Sequence, residues 1–172
     1  MPTIGVAVAI PEPWGQQLQD YRESVVDTSA ALIPTHITLV PPTELTEQEL
    51  SQVEEHLGTV AEGQAPFRVH LRGTGTFRPV SDVVFVSLAE GIASCEQLAS
   101  AVRRGPLDVD LCYPYHPHVT VAHDVAEASL DRAFEELAGF ECSFEVDAFH
   151  LYVHDEVEGW RPDRTFPLEG AG

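Results

Sequence analysis

One short pattern occurs twice in the chain and constrains its fold more than any other feature. Its order is histidine, branched aliphatic residue, threonine, aliphatic residue, and the copies are HITL at 36–39 and HVTV at 118–121. Both copies lie in β-branched runs, which are typical of buried strands. Successive side chains on a strand point to opposite faces, so each histidine shares a face with its threonine. Each copy therefore presents one titratable ring and one hydroxyl, about 6–7 Å apart at their Cα atoms, to the same side of a sheet.

The elements that follow the two copies also match. Each copy is followed by a linker, an amphipathic helix and a strand candidate that opens with a phenylalanine, Phe67 in the first half and Phe144 in the second. We interpret the halves as one supersecondary unit used twice, which predicts a pseudo-two-fold arrangement.

The other periodicities predict four helices among the strands. Helical spacing of apolar residues is found at positions 14–25, 50–60, 92–102 and 130–137, with Ile92 and Phe134 expected to face inward. Further strands are expected at about 3–10, 65–77, 82–88, 142–153 and 160–168. Because several of these strands follow each other as hairpins, the sequence predicts an α+β fold with largely antiparallel sheets and outer helices.

Length and composition favour a single globular domain over residues 1–172. The hydrophobic fraction of 44% is that of an ordinary folded chain. The longest apolar runs are too short to span a bilayer, so we expect no contact with a membrane. Cys95, Cys112 and Cys142 are odd in number and lack metal-site spacing, which indicates free thiols in a reducing compartment. Because the first apolar run does not have the pattern of a signal peptide, we predict a cytoplasmic location. We also expect the protein to be a monomer.

The charge of the chain limits its partners. Nine Lys+Arg stand against 28 Asp+Glu, for a net charge of −19, and all nine cations are arginine. Proteins that bind duplex nucleic acid rely on a basic surface to displace counterions, and this chain has no such surplus. We therefore expect the partner to be a nucleotide or a short RNA end, with its phosphate held locally in a pocket.

Two histidine–threonine patterns of this kind resemble the signature of the 2H phosphoesterase superfamily. That group includes the bacterial and archaeal 2′-5′ RNA ligase family and cyclic nucleotide phosphodiesterases. The N-terminal strand IGVAVAI, the Pro-Pro pair after the first copy and the segment GTGTF at 73–77 also fall where that family has them. The resemblance implies two lobes with the active site in the cleft between them. It also implies hydrolysis of a 2′,3′-cyclic phosphate or a 2′-5′ linkage, with ligation as the reverse reaction.

Two histidines that face one phosphate can supply the chemistry without a metal or other cofactor. One histidine takes a proton from the attacking oxygen and the other protonates the leaving oxygen. The hydroxyls of Thr38 and Thr120 would stabilise negative charge on the non-bridging oxygens. As the resemblance implies, His118 activates water and His36 protonates the ribose oxygen, although the symmetry of the sequence leaves the opposite assignment open. For either copy alone, a buried histidine satisfied by a neighbouring hydroxyl is an equally good interpretation.

Four further residues are candidates for substrate binding. His123 stands five residues after His118, where members of the RNA ligase family often carry an arginine that helps to hold phosphate. Arg78 follows the GTGTF segment and could reach a phosphate. Phe77 and Tyr115 are candidates for stacking on a base.

Two alternative functions remain open at this point. His116, His118 and His123 include an H-x-H pair, which is also a metal-binding pattern, although the first half has no H-x-H to complete a symmetric site. A protein that keeps the fold but only binds or senses a nucleotide would fit the acidic composition and the histidine at position 123.

Overall fold

The structure of the protein, a computed structural model, describes residues 2–25, 35–108, 115–155, 157 and 159–170. Within these residues strands and helices come in the following order: β1 (Thr3–Ala9), α1 (Trp14–Ser24), β2 (His36–Glu44), α2 (Glu47–Glu62), β3 (Phe67–Thr76), β4 (Val83–Glu90), α3 (Ile92–Val102), β5 (Val119–His123), α4 (Glu127–Glu136), β6 (Glu141–Val146), β7 (Ala148–Asp155) and β8 (Gly159–Pro167). A short 3₁₀ helix at Gly105–Leu107 follows α3.

The strands form one antiparallel sheet whose order has two-fold character. The order is β6-β3-β4-β5-β2-β1-β7-β8, so the two strands that carry the repeated pattern, β2 and β5, lie side by side at the centre. Strands β1, β7 and β8 continue the sheet on one side, and β4, β3 and β6 continue it on the other. The predicted α+β fold with antiparallel strands and two pseudo-symmetric lobes is confirmed.

The sequence expectation was wrong for the long strand at 142–153. The segment forms two strands, β6 and β7, which are separated at Asp147. They lie in opposite halves of the sheet, since β6 pairs with β3 while β7 pairs with β1. The strand that occupies the place equivalent to β3 is therefore β7. Phe67 and Phe144 open comparable runs in the sequence, but they do not occupy equivalent positions in the sheet.

The helices cover one face of each half. Helices α1 and α4 pack over β5 and its neighbours, whereas α2 and α3 pack against β8 and β2. Helix α2 begins with the capping box that its sequence predicts, in which Thr46 and Glu49 bond to each other's backbone N–H groups. Ile92 and Phe134 are 39% and 37% exposed, so the expectation that they face inward was wrong. Each lies at the border of the apolar stripe of its helix, where periodicity alone does not separate core from surface.

The repeated pattern folds with the alternation that its sequence predicts. Its aliphatic residues Ile37, Leu39, Val119 and Val121 are fully buried in the core under the helices. Each such side chain stabilises the fold by about 1.5–3 kcal/mol. The histidines and threonines of the pattern consequently lie on the opposite face of the sheet.

Two of the three cysteines lie within the described residues. Cys95 and Cys142 are buried free thiols, and burial raises the pKa of Cys95 to about 12 and that of Cys142 to about 11. Both thiols therefore stay protonated and unreactive at neutral pH. Cys112 lies outside the described residues.

None of the helices in the described part of the chain combines the length and the apolar character needed to cross a membrane.

Candidate active site

A cavity of about 240 Å³ opens where the two halves of the sheet meet. Within the described residues β2 and β5 pair only at Ile37 and Val119, so the sheet is loosely joined at its centre. All four polar side chains of the repeated pattern line this cavity. Its described lining consists of Gly5, Val6, Ala7, Arg22, His36, Thr38, Val40, Pro42, Val83, His118, Thr120, His123, Tyr152 and Trp160.

His118 is held in one tautomer by the backbone. Its Nδ1 lies 2.7 Å from the carbonyl oxygen of His116. A carbonyl oxygen only accepts, so Nδ1 carries the proton and the neutral ring presents Nε2 as the nitrogen with the lone pair. Burial lowers the pKa of His118, and the neighbouring His116 ring adds to the lowering, while the hydrogen bond to the His116 carbonyl opposes it. His118 is thereby suited to accept a proton at neutral pH.

Aromatic rings form the wall behind His118. The Phe77 ring meets it edge to face at 4.9 Å between centroids, and the Phe85 ring lies at 5.2 Å. Phe85 fits there because residue 75 is glycine: a Cβ at Gly75 would lie 2.6 Å from the Phe85 ring. The GTGTF segment thus contributes to the site by shaping the apolar surroundings of His118.

His36 has a different set of contacts. It begins β2, and its Nε2 lies 3.0 Å from Oγ1 of Thr38, its own partner in the pattern. The Tyr115 hydroxyl donates a hydrogen bond of 2.7 Å to the Thr38 carbonyl. Burial raises the pKa of Tyr115, so this donor keeps its proton. The guanidinium of Arg103 lies over the Tyr115 ring at 5.3 Å, and the segment before the second copy is thereby tied to the first.

Of the four residues predicted to bind substrate, the structure brings one to the cavity. His123 ends β5 and lines the cavity, with its Nε2 3.3 Å from Oδ2 of Asp124. Phe77 and Tyr115 are not among the lining residues and instead support His118 and Thr38. Arg78 lies outside the lining as well, because its guanidinium bonds to a carboxylate oxygen of Asp131 at 2.7 Å.

Among the lining residues that the sequence did not indicate, three have charged or aromatic side chains that could contact a ligand: Arg22, Tyr152 and Trp160. Arg22 had a usable signal, because it lies on the apolar stripe of α1, where a charge is unexpected. Tyr152 comes from β7, which pairs with β1, and Trp160 comes from β8, which pairs with β7 at the edge of the sheet. Tyr152 pairs with Gly5 across β1 and β7, and the Trp160 ring packs next to Gly5. No local pattern indicates these two contacts.

The metal-binding alternative does not match the side-chain arrangement. Among the described residues, no three His, Cys, Asp or Glu side chains gather into a group that could hold a metal ion. The His116 and His118 rings stack nearly parallel, with centroids 5.9 Å apart, instead of converging on one point. Nδ1 of His118 is already bonded to the backbone.

Comparison with known proteins decides the family. A model of the 2′-5′ RNA ligase superfamily matches residues 10–158. The chain belongs to this superfamily. The resemblance to 2H phosphoesterases is thereby confirmed. An Oceanobacillus iheyensis protein with the name "Putative phosphoesterase" is 30% identical over 144 residues, which are 83% of this chain and 84% of that protein.

Solved structures of other proteins share the fold. TT0787 of Thermus thermophilus matches with a TM-score of 0.73 and 25% identity over the full length of both chains. LigT of Escherichia coli in complex with 3′-AMP matches with a TM-score of 0.70 and 22% identity, covering 98% of this chain and 99% of LigT. The same E. coli protein has also been crystallised with NADP+ and with ATP.

Proposed function

We propose that this member of the 2′-5′ RNA ligase superfamily is a metal-independent phosphodiesterase. Its substrate would be a 2′,3′-cyclic phosphate or a 2′-5′ phosphodiester on a nucleotide or a short RNA end. The observation that carries the proposal is the shared cavity of His36, Thr38, His118 and Thr120. Two proton-transfer groups and two hydroxyls in one pocket are what hydrolysis of a phosphodiester requires.

In the proposed mechanism the two histidines have opposite roles. Neutral His118 takes a proton from water through Nε2, and the resulting hydroxide attacks phosphorus. Protonated His36 donates its proton to the ribose oxygen as the P–O bond breaks. The assignment of the base to His118 is supported by its lowered pKa and by the fixed tautomer that leaves Nε2 unprotonated. Thr38 and Thr120 would donate hydrogen bonds to the non-bridging oxygens as their negative charge grows.

The reverse reaction uses the same groups with exchanged protonation states. A ribose hydroxyl in place of water, activated by the same pair, would join two ends. We propose hydrolysis as the main direction, because a small acidic protein offers little surface for holding two RNA ends together.

The rest of the lining suits a nucleoside. Trp160 and Tyr152 offer aromatic surfaces beside the polar centre, and base–aromatic stacking is worth about 1–3 kcal/mol per base. That E. coli LigT binds 3′-AMP is consistent with a nucleotide as the ligand here too. We also propose that residues 1–172 act as one domain and as a monomer, since each half supplies one histidine to the same cavity.

The test is turnover of 2′,3′-cyclic nucleotides by the purified protein in the presence and absence of EDTA. We expect hydrolysis to continue in EDTA, because the histidines and threonines supply proton transfer and charge stabilisation without a Lewis acid. Loss of turnover in EDTA that zinc or manganese restores would reject the metal-independent mechanism. Binding of 3′-AMP without turnover of any cyclic nucleotide would favour a nucleotide sensor.

Substrate length provides a second test. The net charge of −19 should repel each added phosphate, so a mononucleotide or short oligomer should have a higher kcat/KM than a long RNA with the same reactive end. Added salt should raise kcat/KM for the long substrate, since ions screen the repulsion between charges that are more than about 8–10 Å apart. A preference for long RNA that salt abolishes would reject this view.

A further inference from the structure

The cavity has an electrostatic character opposite to that of the whole molecule. The chain carries a net charge of −19. Among the described lining residues, the ionisable side chains are one arginine, three histidines and one tyrosine, with no aspartate or glutamate. A pocket lined in this way attracts a small anion, although the surrounding surface repels a large one.

Arg22 provides the permanent part of this charge. The two histidines of the proposed mechanism change their protonation state during each cycle, whereas a guanidinium stays protonated at any working pH. Within the described lining, Arg22 is therefore the one side chain whose positive charge does not depend on the reaction step or the pH.

The position of Arg22 in α1 is not explained by helix packing alone. The buried residues of α1 are Gly15, Leu18 and Arg22, so the arginine occupies the next place on the apolar stripe. Arg22 is 2% exposed. A guanidinium at a buried place on the stripe needs polar partners, which a leucine or methionine in the same place would not need.

Other arginines of the chain are placed differently. Four of them form ion pairs with carboxylates and do not line the cavity: Arg72 with Glu141, Arg78 with Asp131, Arg132 with Glu136, and Arg164 with Glu54. Arg22 differs from these four in its location, since it lies in the cavity wall together with both proposed catalytic histidines. The planar guanidinium, with donors in a fixed fork, matches the oxygens of a phosphate group.

We propose that Arg22 binds the non-bridging oxygens of the substrate phosphate and makes the cavity selective for phosphate esters over neutral nucleosides. The identity of the substrate rests on the function proposed above. The charge of Arg22 adds to the neutral hydrogen bonds from the threonines and does not replace them. It is also available when both histidines are neutral.

The experiment measures the affinity of 3′-AMP and of adenosine, by titration calorimetry and by competition, for the wild type and for Arg22→Gln. Arg72→Gln is the matched control, because it removes the same charge from an arginine that pairs with Glu141 outside the cavity. We expect Arg22→Gln to lower the affinity for 3′-AMP by about 10- to 100-fold, which is the usual contribution of a hydrogen bond to a charged group. Adenosine should bind as it does to the wild type, and the control should bind both ligands normally.

Arg22→Lys keeps the charge but loses the fork, so it should bind 3′-AMP with intermediate affinity. This lysine variant can replace the glutamine variant if the latter does not fold, since we again expect a lower affinity for 3′-AMP and an unchanged affinity for adenosine. The proposal is overturned if the affinity for 3′-AMP is unchanged in both variants. It is also overturned if the affinities for 3′-AMP and adenosine fall equally, because Arg22 would then act only through the fold.

The outcomes separate this proposal from the proposed function. A wild type that hydrolyses cyclic nucleotides while the Arg22 variants bind 3′-AMP normally overturns the role of Arg22 alone. A wild type that binds 3′-AMP through Arg22 but turns nothing over overturns the catalytic proposal alone. A wild type with no affinity for 3′-AMP overturns the phosphate-binding role.

Discussion

The two halves of the molecule contribute the same four-residue pattern, yet they hold its histidine in different ways. In the second half, the His118 ring packs against two phenylalanine rings, and its Nδ1 donates a hydrogen bond to a backbone carbonyl oxygen. In the first half, His36 contacts the hydroxyl of its own Thr38 through Nε2. A repeated sequence therefore does not produce a repeated environment. Different surroundings are what allow two identical groups to act as acid and base.

The threonines differ in a parallel way. The Thr38 hydroxyl is engaged with His36, and its carbonyl accepts a bond from Tyr115 of the other half. Among the described residues, the Thr120 hydroxyl has no hydrogen-bond partner, so its hydrogen is available to a ligand. From this difference we infer that Thr38 both orients the proposed acid and binds substrate, whereas Thr120 has only the second role.

The largest expected effect is the loss of either histidine. His36→Ala and His118→Ala should each lower kcat by about 10²–10⁴, the usual contribution of a general acid or base. The double variant should be little worse than the single ones, because the two groups act together in one step. The measurement is steady-state turnover of a 2′,3′-cyclic nucleotide, with circular dichroism to confirm folding. Folded single variants with near-wild-type turnover would contradict a two-histidine mechanism.

A change of leaving group shows which histidine is the acid. A phosphodiester that releases p-nitrophenolate needs little protonation of its leaving oxygen. We therefore expect it to restore much of the activity of His36→Ala and little of the activity of His118→Ala. Rescue of His118→Ala instead would reverse the roles proposed for the two halves.

The next largest effect separates the two threonines. Thr120→Val should lower kcat/KM by about 10², the low end for removal of one donor to a developing negative charge. Thr38→Val should lower it further, because the variant loses the same donor and also the partner of His36 Nε2. The measurement is kcat/KM for a cyclic nucleotide with each single variant. Equal losses would mean that the contact between His36 and Thr38 has no part in catalysis.

Much of this architecture could be predicted from the sequence because the pattern is local. The alternation in residues 36–39 and 118–121 fixes which side chains are buried, and the helix stripes follow from period 3.6. The break between β6 and β7 at Asp147 could not be predicted in this way. The two strands follow each other directly in the sequence, and only their pairing with different strands, β3 and β1, separates them. Contacts between elements far apart in the sequence were also beyond local patterns: Nε2 of His56 in α2 lies 3.2 and 3.0 Å from the carbonyl oxygens of Ala101 and Val102 at the end of α3.

The residues of the candidate site could be proposed from the sequence to a similar extent, because they too belong to a local pattern. His36, Thr38, His118 and Thr120 come from the repeat, and the structure gathers them in one cavity. The rest of the wall comes from residues brought in by the sheet order, such as Trp160. Phe77 has an aromatic ring that could stack on a base, but in the structure this ring packs against His118. The type of a side chain does not show which neighbour it will contact.

A smaller effect concerns the pH dependence of kcat/KM, which should be bell-shaped because one histidine must start neutral and the other protonated. Burial lowers the pKa of His118, so we expect the acidic limb to lie below about pH 6.5, the ordinary histidine value. In His116→Gln the backbone carbonyl remains while the nearby ring is lost, and the limb should move slightly upward. A limb above pH 6.5 in the wild type would contradict the assignment of the base to His118.

The smallest effect is on stability, and it uses the same lowered pKa without any substrate. In the unfolded chain His118 titrates near its ordinary value of about 6.5. Just below that pH, the unfolded state binds more protons at this position than the folded state does. The free energy of unfolding should therefore fall as the pH drops through that range and level off below the folded pKa.

His118→Gln removes this contribution, so its free energy of unfolding should depend less on pH than that of the wild type. Burial also lowers the pKa of His150, so part of the slope should remain in this variant and should flatten further in the double variant with His150→Gln. Urea denaturation at a series of pH values between about 5 and 7.5 measures the slopes directly. If wild type and His118→Gln lose stability in parallel, His118 is not held in its neutral form by the fold. The contrast between the two halves would then depend on their hydrogen bonds alone.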